Sequence, residues 1–153
     1  MNPIFFQFEA DFVNSLRCIP LVVRYKLDTC GIKLKLEHWH CFTPSERSSL
    51  VTLSCDTPET IAHYGNYLQS LVVHYTHEPA KTLTIEDNPP WLNTQEIPIL
   101  VLEKANAVGR SLCLADWSKL TPLQRFALIK LSRSSHENRN FLPAIQEFIP
   151  CIP

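Results

Sequence analysis

The chain has 153 residues, 45% of them hydrophobic and 19% charged, which places it among ordinary globular domains and away from the disordered range. Fourteen Lys and Arg against fifteen Asp and Glu give a net charge of −1, so there is no surplus of cations to neutralise phosphates, and this argues against nucleic acid as a partner. No run approaches the eighteen apolar residues of a membrane span, and acids (Glu9, Asp11) appear early without a preceding basic stretch. The expectation is a cytoplasmic protein with no membrane contact. Its six cysteines (18, 30, 41, 55, 113 and 151) are then reduced thiols, mostly acting as small buried hydrophobes.

In chain order, Phe6, Phe8, Ala10 and Phe12 alternate with other residues, which predicts a short extended N-terminal arm over residues 5–13. Pro20 suits the first position of a helix, and Gly31 suits its C-terminal cap, because glycine enters the left-handed region without strain. Leu36, Trp39 and Phe42 follow at one-turn spacing. Thr43-Pro44-Ser45-Glu46 is a capping box with proline at the first helical position. Asp56-x-x-Glu59 is a second candidate box, ahead of a helical stripe of Ile61, Tyr64, Leu68, Leu71, Val72 and Tyr75. Residues 78–96, with Pro79, Pro89 and Pro90, form a surface connector that Trp91 and Leu92 pin to the body.

After the connector the pattern returns. A shift of 78 residues aligns 19–54 with 97–132 without a gap and with fourteen identities in thirty-six positions, among them Gly31/Gly109, Trp39/Trp117 and Arg47/Arg125. Unrelated segments would share roughly two or three. Pro98, Gly109 and the box Thr121-Pro122-Leu123-Gln124 repeat the punctuation of the first copy. Ser134-x-x-Glu137 precedes a last stripe of Phe141, Leu142, Ile145 and Phe148. The prediction is all-α: one domain over 1–153, with a first helical repeat at 19–77, a connector at 78–96 and a second repeat at 97–150. It arises by internal duplication and packs as two similar three-helix half-bundles, for which Trp39, Trp117, Arg47, Arg125, Gly31 and Gly109 are the structural anchors.

Chemical motifs are sparse. His38, His40 and Cys41 are potential metal ligands, but neighbouring positions do not converge on one tetrahedral ion, and the second copy has Asp116, Ser118 and Lys119 there. His63, His74 and His77 fall on the wet side of a helix whose other face is apolar. Glycines 31, 65 and 109 are isolated, so there is no phosphate loop, and Ser135-His136-Glu137 are sequence neighbours and not a triad. No catalytic residue, metal or cofactor is predicted. Arg47 and Arg125 sit in the first turns of their helices against the macrodipole, and the structural reading gives each an acidic or carbonyl partner across the interface between the half-bundles.

Three phrases together resemble the nitrate reductase-associated proteins of cyanobacteria. These are Phe8-Glu9-Ala10-Asp11-Phe12-Val13 running on to Pro20 and Lys26–Leu36, then Asn88-Pro89-Pro90-Trp91-Leu92, then Leu120–Ser132 continuing through His136-Glu137-Asn138 and Asn140-Phe141-Leu142-Pro143-Ala144. The resemblance spans nearly the whole chain. It implies a small cytoplasmic accessory protein that supports an assimilatory nitrate reductase, an enzyme that carries a molybdenum cofactor and an iron–sulfur cluster. It implies no catalytic residues. The partner is then the reductase or its maturation machinery, and the candidate contact residues are Arg17, Lys33, Lys35, Arg133, His136, Arg139 and Asn140. The competing expectation is a carrier that delivers metal, cluster or cofactor to that reductase through Cys18, Cys30, Cys41, Cys55 and the histidines.

Overall fold

The computed structural model describes residues 5–13, 15–133 and 138–150. It is mostly helical, with one two-stranded ladder, and its contacts divide it into two units. One takes in Glu9–Ile85; the other takes in Phe6–Phe8 and residues 86–150.

The first unit holds helices α1 (Ala10–Val13), α2 (Leu21–Cys30), α3 (Leu36–Cys41), α4 (Pro44–Thr52) and α5 (Pro58–Thr76). Strand β1 (Ile32–Lys33) pairs antiparallel with β2 (Lys81–Thr82), Ile32 opposite Thr82 and Lys33 opposite Lys81. The core forms where α2 and α3 pack on α5, around Val23, Trp39, Leu50, Tyr64, Leu68 and Val72. Tyr64 is completely buried and donates its hydroxyl to the Leu50 carbonyl at 2.7 Å, which removes the cost of burying a phenol. The Gln69 side chain brackets Ala80 through both of its backbone groups, fixing the chain as it leaves α5.

The second unit holds α6 (Ile99–Ala107), α7 (Leu114–Lys119), α8 (Pro122–Arg133) and α9 (Phe141–Phe148), with 3-10 turns at Pro90–Leu92 and Asn138–Asn140. Helix α8 is its centre, packing on α6, α9 and the Pro90–Leu92 turn. Its core is Val101, Ala105, Trp117, Phe126, Leu128, Ile129, Phe141 and Ile145. Trp91 is buried edge-on against Phe126, with centroids 5.1 Å apart, whereas Leu92 points outward at 53% exposure; of the two residues expected to pin the connector, only the tryptophan is buried.

Three expectations about local structure are corrected. The N-terminal segment is helical, a 3-10 turn at Gln7–Glu9 running into α1, and is not an extended arm. The alternation is overridden because the Gln7 and Phe8 amides both donate to the Glu147 carboxylate, Phe6 and Phe8 pack around Phe148, and Glu9 turns inward. The start of α5 is capped by Thr57 and Thr60, with Pro58 in the first position, while Asp56 accepts a bond from the Thr60 hydroxyl instead of capping. A Thr-Pro start wins because proline pre-sets the helical φ one residue after the cap. The box at Ser134 and Glu137 lies outside the described residues. Pro20 and Pro98 flank their helices one residue earlier than expected, each accepting the first intrahelical bonds on its carbonyl.

Thr43 with Glu46 and Thr121 with Gln124 form reciprocal capping boxes as the sequence predicts. Gly31 and Gly109 end α2 and α6 at φ +75° and +76°. The two glycines differ in their surroundings. A Cβ on Gly31 would meet Ile85 Cγ1 at 2.8 Å and the Leu83 carbonyl oxygen at 2.9 Å, whereas one on Gly109 meets nothing within 4 Å. Gly109→Ala should therefore cost only the left-handed backbone penalty of about 1 kcal/mol, and Gly31→Ala about 2–3 kcal/mol because the backbone at Leu83 must also shift. Urea midpoints of the two variants check this.

Candidate functional site

Each unit contains the same local arrangement: a short helix with a buried tryptophan, a turn, and an arginine in the first turn of the next helix. The arginine donates further bonds to carbonyls at and just beyond the C-terminus of the short helix. Arg47 donates from Nε to the Trp39 carbonyl at 3.0 Å, from Nη2 to His40 at 3.1 Å and from Nη1 to Leu16 at 3.2 Å. Arg125 donates from Nη1 to Leu120 at 2.6 Å and to Trp117 at 3.3 Å, and from Nε to Trp91 at 2.6 Å. The carbonyl partners are as expected, but they lie inside the same unit as their arginine. A cation at the start of one helix is tolerated because it also sits at the negative end of the preceding helix. Arg125 is buried at 4% exposure, while Arg47 is half-buried.

The indoles are held alike. Trp39 Nε1 donates to the Leu16 carbonyl at 2.7 Å and Trp117 Nε1 to the Asn93 carbonyl at 2.9 Å, both with fully buried rings.

The potential metal ligands do not come together. His38 Nδ1 accepts from the Lys35 amide, His40 Nε2 sits 3.0 Å from the Arg17 carbonyl, and His63, His74 and His77 are exposed on or just beyond α5. Among the described residues no three His, Cys, Asp or Glu side chains could share an ion. Burial, with the Cys55 sulfur as a second contributor, pushes the Cys30 thiol up to about 12. Burial raises Cys55 to about 11, against the pull of the Lys26 ammonium. Both are therefore protonated thiols near neutral pH, the wrong form for metal ligation or attack. Iodoacetamide at pH 8 should modify the exposed Cys18, Cys41 and Cys113 first, with Cys30 and Cys55 slower by about tenfold or more until the pH approaches their raised values. Peptide mapping by mass spectrometry reads the order.

Of the candidate contact residues, Arg17, Lys33 and Lys35 are exposed in the first unit, and Arg133 and Arg139 in the second. Asn140 is half-buried at the start of α9, and His136 lies outside the described residues. The second unit also carries a groove of about 380 Å³ whose lining includes Pro90, Asn93, Glu96, Ile99, Leu100 and Arg133. Ile99 and Leu100 are 71% and 52% exposed. Helical periodicity alone does not single them out, yet the signal is present: Ile99-Leu100-Val101-Leu102 is a run of four apolar residues on one helix, and such a run cannot face inward throughout.

These features define a mostly helical protein whose arginines and tryptophans hold its own turns and whose second unit exposes an apolar groove. The chain belongs to the conserved nitrate reductase-associated protein family, whose sequence profile matches residues 5–148. A search of curated proteins found no match. Solved structures gave none either.

Proposed function

We propose that this protein is a non-catalytic accessory factor that binds an assimilatory nitrate reductase, or the machinery that matures it, and supports its activity by contact. The observation that carries this reading is membership, over 144 consecutive residues (5–148), of a family named for its association with that enzyme. The local chemistry agrees with it. The arginines that stand out in the sequence are engaged with backbone carbonyls, and the thiols of Cys30 and Cys55 are held protonated. The exposed cations Arg17, Lys33, Lys35, Arg133 and Arg139 are the contact residues in this reading.

We also propose that the two units descend from one duplicated ancestral segment. Positions 78 apart share fourteen identities and matching burial: Val23 and Val101, Trp39 and Trp117, and Leu50 and Leu128 are each completely buried.

The test is recovery of the reductase with tagged full-length protein from native cells, alongside reductase activity and cofactor content in cells lacking the protein. Co-purification with loss of activity on deletion is the expected result. Normal activity and normal cofactor content in the deletion strain would overturn the reading.

A further inference from the structure

At the start of α6 the two units, aligned at the 78-residue offset, differ sharply in burial at two successive apolar positions. Leu21 and Val22, the first two residues of α2, are 6% and 7% exposed; their counterparts Ile99 and Leu100 are 71% and 52% exposed. The flanking positions agree, since Ile19 and Ile97 are both at 9% and Val23 and Val101 both at 0%. The difference is therefore confined to the outward face of the first helical turn.

In the first unit the first amide of that turn has a partner supplied by the chain itself. Glu9, at 1% exposure, places a carboxylate oxygen 3.2 Å from the Leu21 amide, and Val13, four residues on, is completely buried. The carboxylate takes an amide that has no carbonyl within its own helix and sits at the positive end of the dipole. In the second unit Pro98 precedes α6 with no side-chain cap, and Ile99 and Leu100 line a groove with Asn93, Ser132 and the exposed Arg133.

We infer that this groove is a docking site for a short helical partner segment that spaces one carboxylate and one aliphatic side chain about a turn apart, as Glu9 and Val13 are spaced in the first unit. The carboxylate meets the first amides of α6 and the Arg133 guanidinium, and the aliphatic group covers Ile99 and Leu100. Glu96 lies on the same lining, so the groove accepts a single acid directed towards Arg133 and disfavours an acidic run. Two large exposed aliphatic side chains beside a polar rim are the mark of an interaction patch. The inference rests on the accessory reading for the identity of the partner but not for the existence of the site.

Two measurements test it. In the first, isotope-labelled full-length protein is titrated with a blocked single-acid peptide, Phe-Glu-Ala-Asn-Phe-Val, which is the sequence of residues 8–13 with the second acid neutralised. Amide shifts at Ile99, Leu100 and Ser132 are expected, saturating on the order of 1 mM. They should weaken about fivefold when the peptide Glu becomes Gln and vanish in the Ile99→Asp protein. No shift at these amides overturns the inference. Shifts that follow protein concentration without peptide also overturn it, because the occupant is then a second copy of the chain. In the second, immobilised wild-type, Ile99→Asp, Leu100→Asp and Asn66→Asp proteins are compared for binding of purified reductase. About tenfold weaker binding is expected for the two groove variants only. Equal binding by wild type and both groove variants removes the groove and leaves the accessory reading standing. Wild-type protein that fails to bind removes the reductase as partner, and the peptide titration then decides the groove.

Discussion

Replacing Arg125 by alanine is expected to destabilise the second unit by about 3–5 kcal/mol, a large share of the roughly 5–15 kcal/mol that holds an ordinary domain together. The guanidinium is 4% exposed and holds the carbonyls of Trp91, Trp117 and Leu120. Removing it strips charge-assisted bonds from buried oxygens that water reaches poorly, and each unsatisfied oxygen costs about 1–3 kcal/mol. It also frees the connector at Trp91, whose ring packs on Phe126. Lysine should not rescue, because one ammonium on a flexible stem cannot reproduce a planar fork with donors at Nε and Nη1. Arg47→Ala is the internal control. The same geometry stands half-exposed there, water replaces part of what is lost, and a cost of about 1–2 kcal/mol follows. Chemical denaturation followed by tryptophan fluorescence compares the two. Equal losses would show that burial does not set the difference.

The arginines also show where sequence reasoning runs out. Their repetition at positions 47 and 125 is visible at once, as are the glycine stops and the Thr-Pro capping boxes, because each depends on residues within one turn of each other. Their partners are not visible, since the carbonyls of Leu16 and Trp91 lie 31 and 34 residues away and any residue type offers a carbonyl. The N-terminal segment fails for a related reason. Alternating Phe residues predict extension, but two amides captured by Glu147 and a carboxylate captured by the Leu21 amide decide the backbone through contacts 139, 140 and 12 residues distant. The groove is hidden for the opposite reason. Ile99 and Leu100 look like core residues in any window of sequence, and their exposure becomes notable only beside the covered Leu21 and Val22.

Trp39→Ala should cost the first unit about 3–5 kcal/mol, and the more informative change is Trp39→Phe, at about 1–2 kcal/mol. Phenylalanine keeps most of the ring volume in a completely buried site but deletes the Nε1 donor that holds the Leu16 carbonyl at 2.7 Å. Leu16 stands at φ +55°, a left-handed conformation that a leucine adopts only when its surroundings impose it. Trp39 Nε1 and Arg47 Nη1 impose it together by gripping the same oxygen. The two donors should therefore be coupled. With either one gone, the remaining bond no longer holds the strained turn, so the second substitution costs less than it does alone. A double-mutant cycle on Trp39→Phe and Arg47→Met, read as unfolding free energies, should show an interaction of about 1 kcal/mol. Leu16→Gly relieves the backbone strain directly and should recover part of the loss in Trp39→Phe. Additive costs with no recovery by glycine would mean that the turn at Leu16 is held by its own packing and not by the indole and the guanidinium.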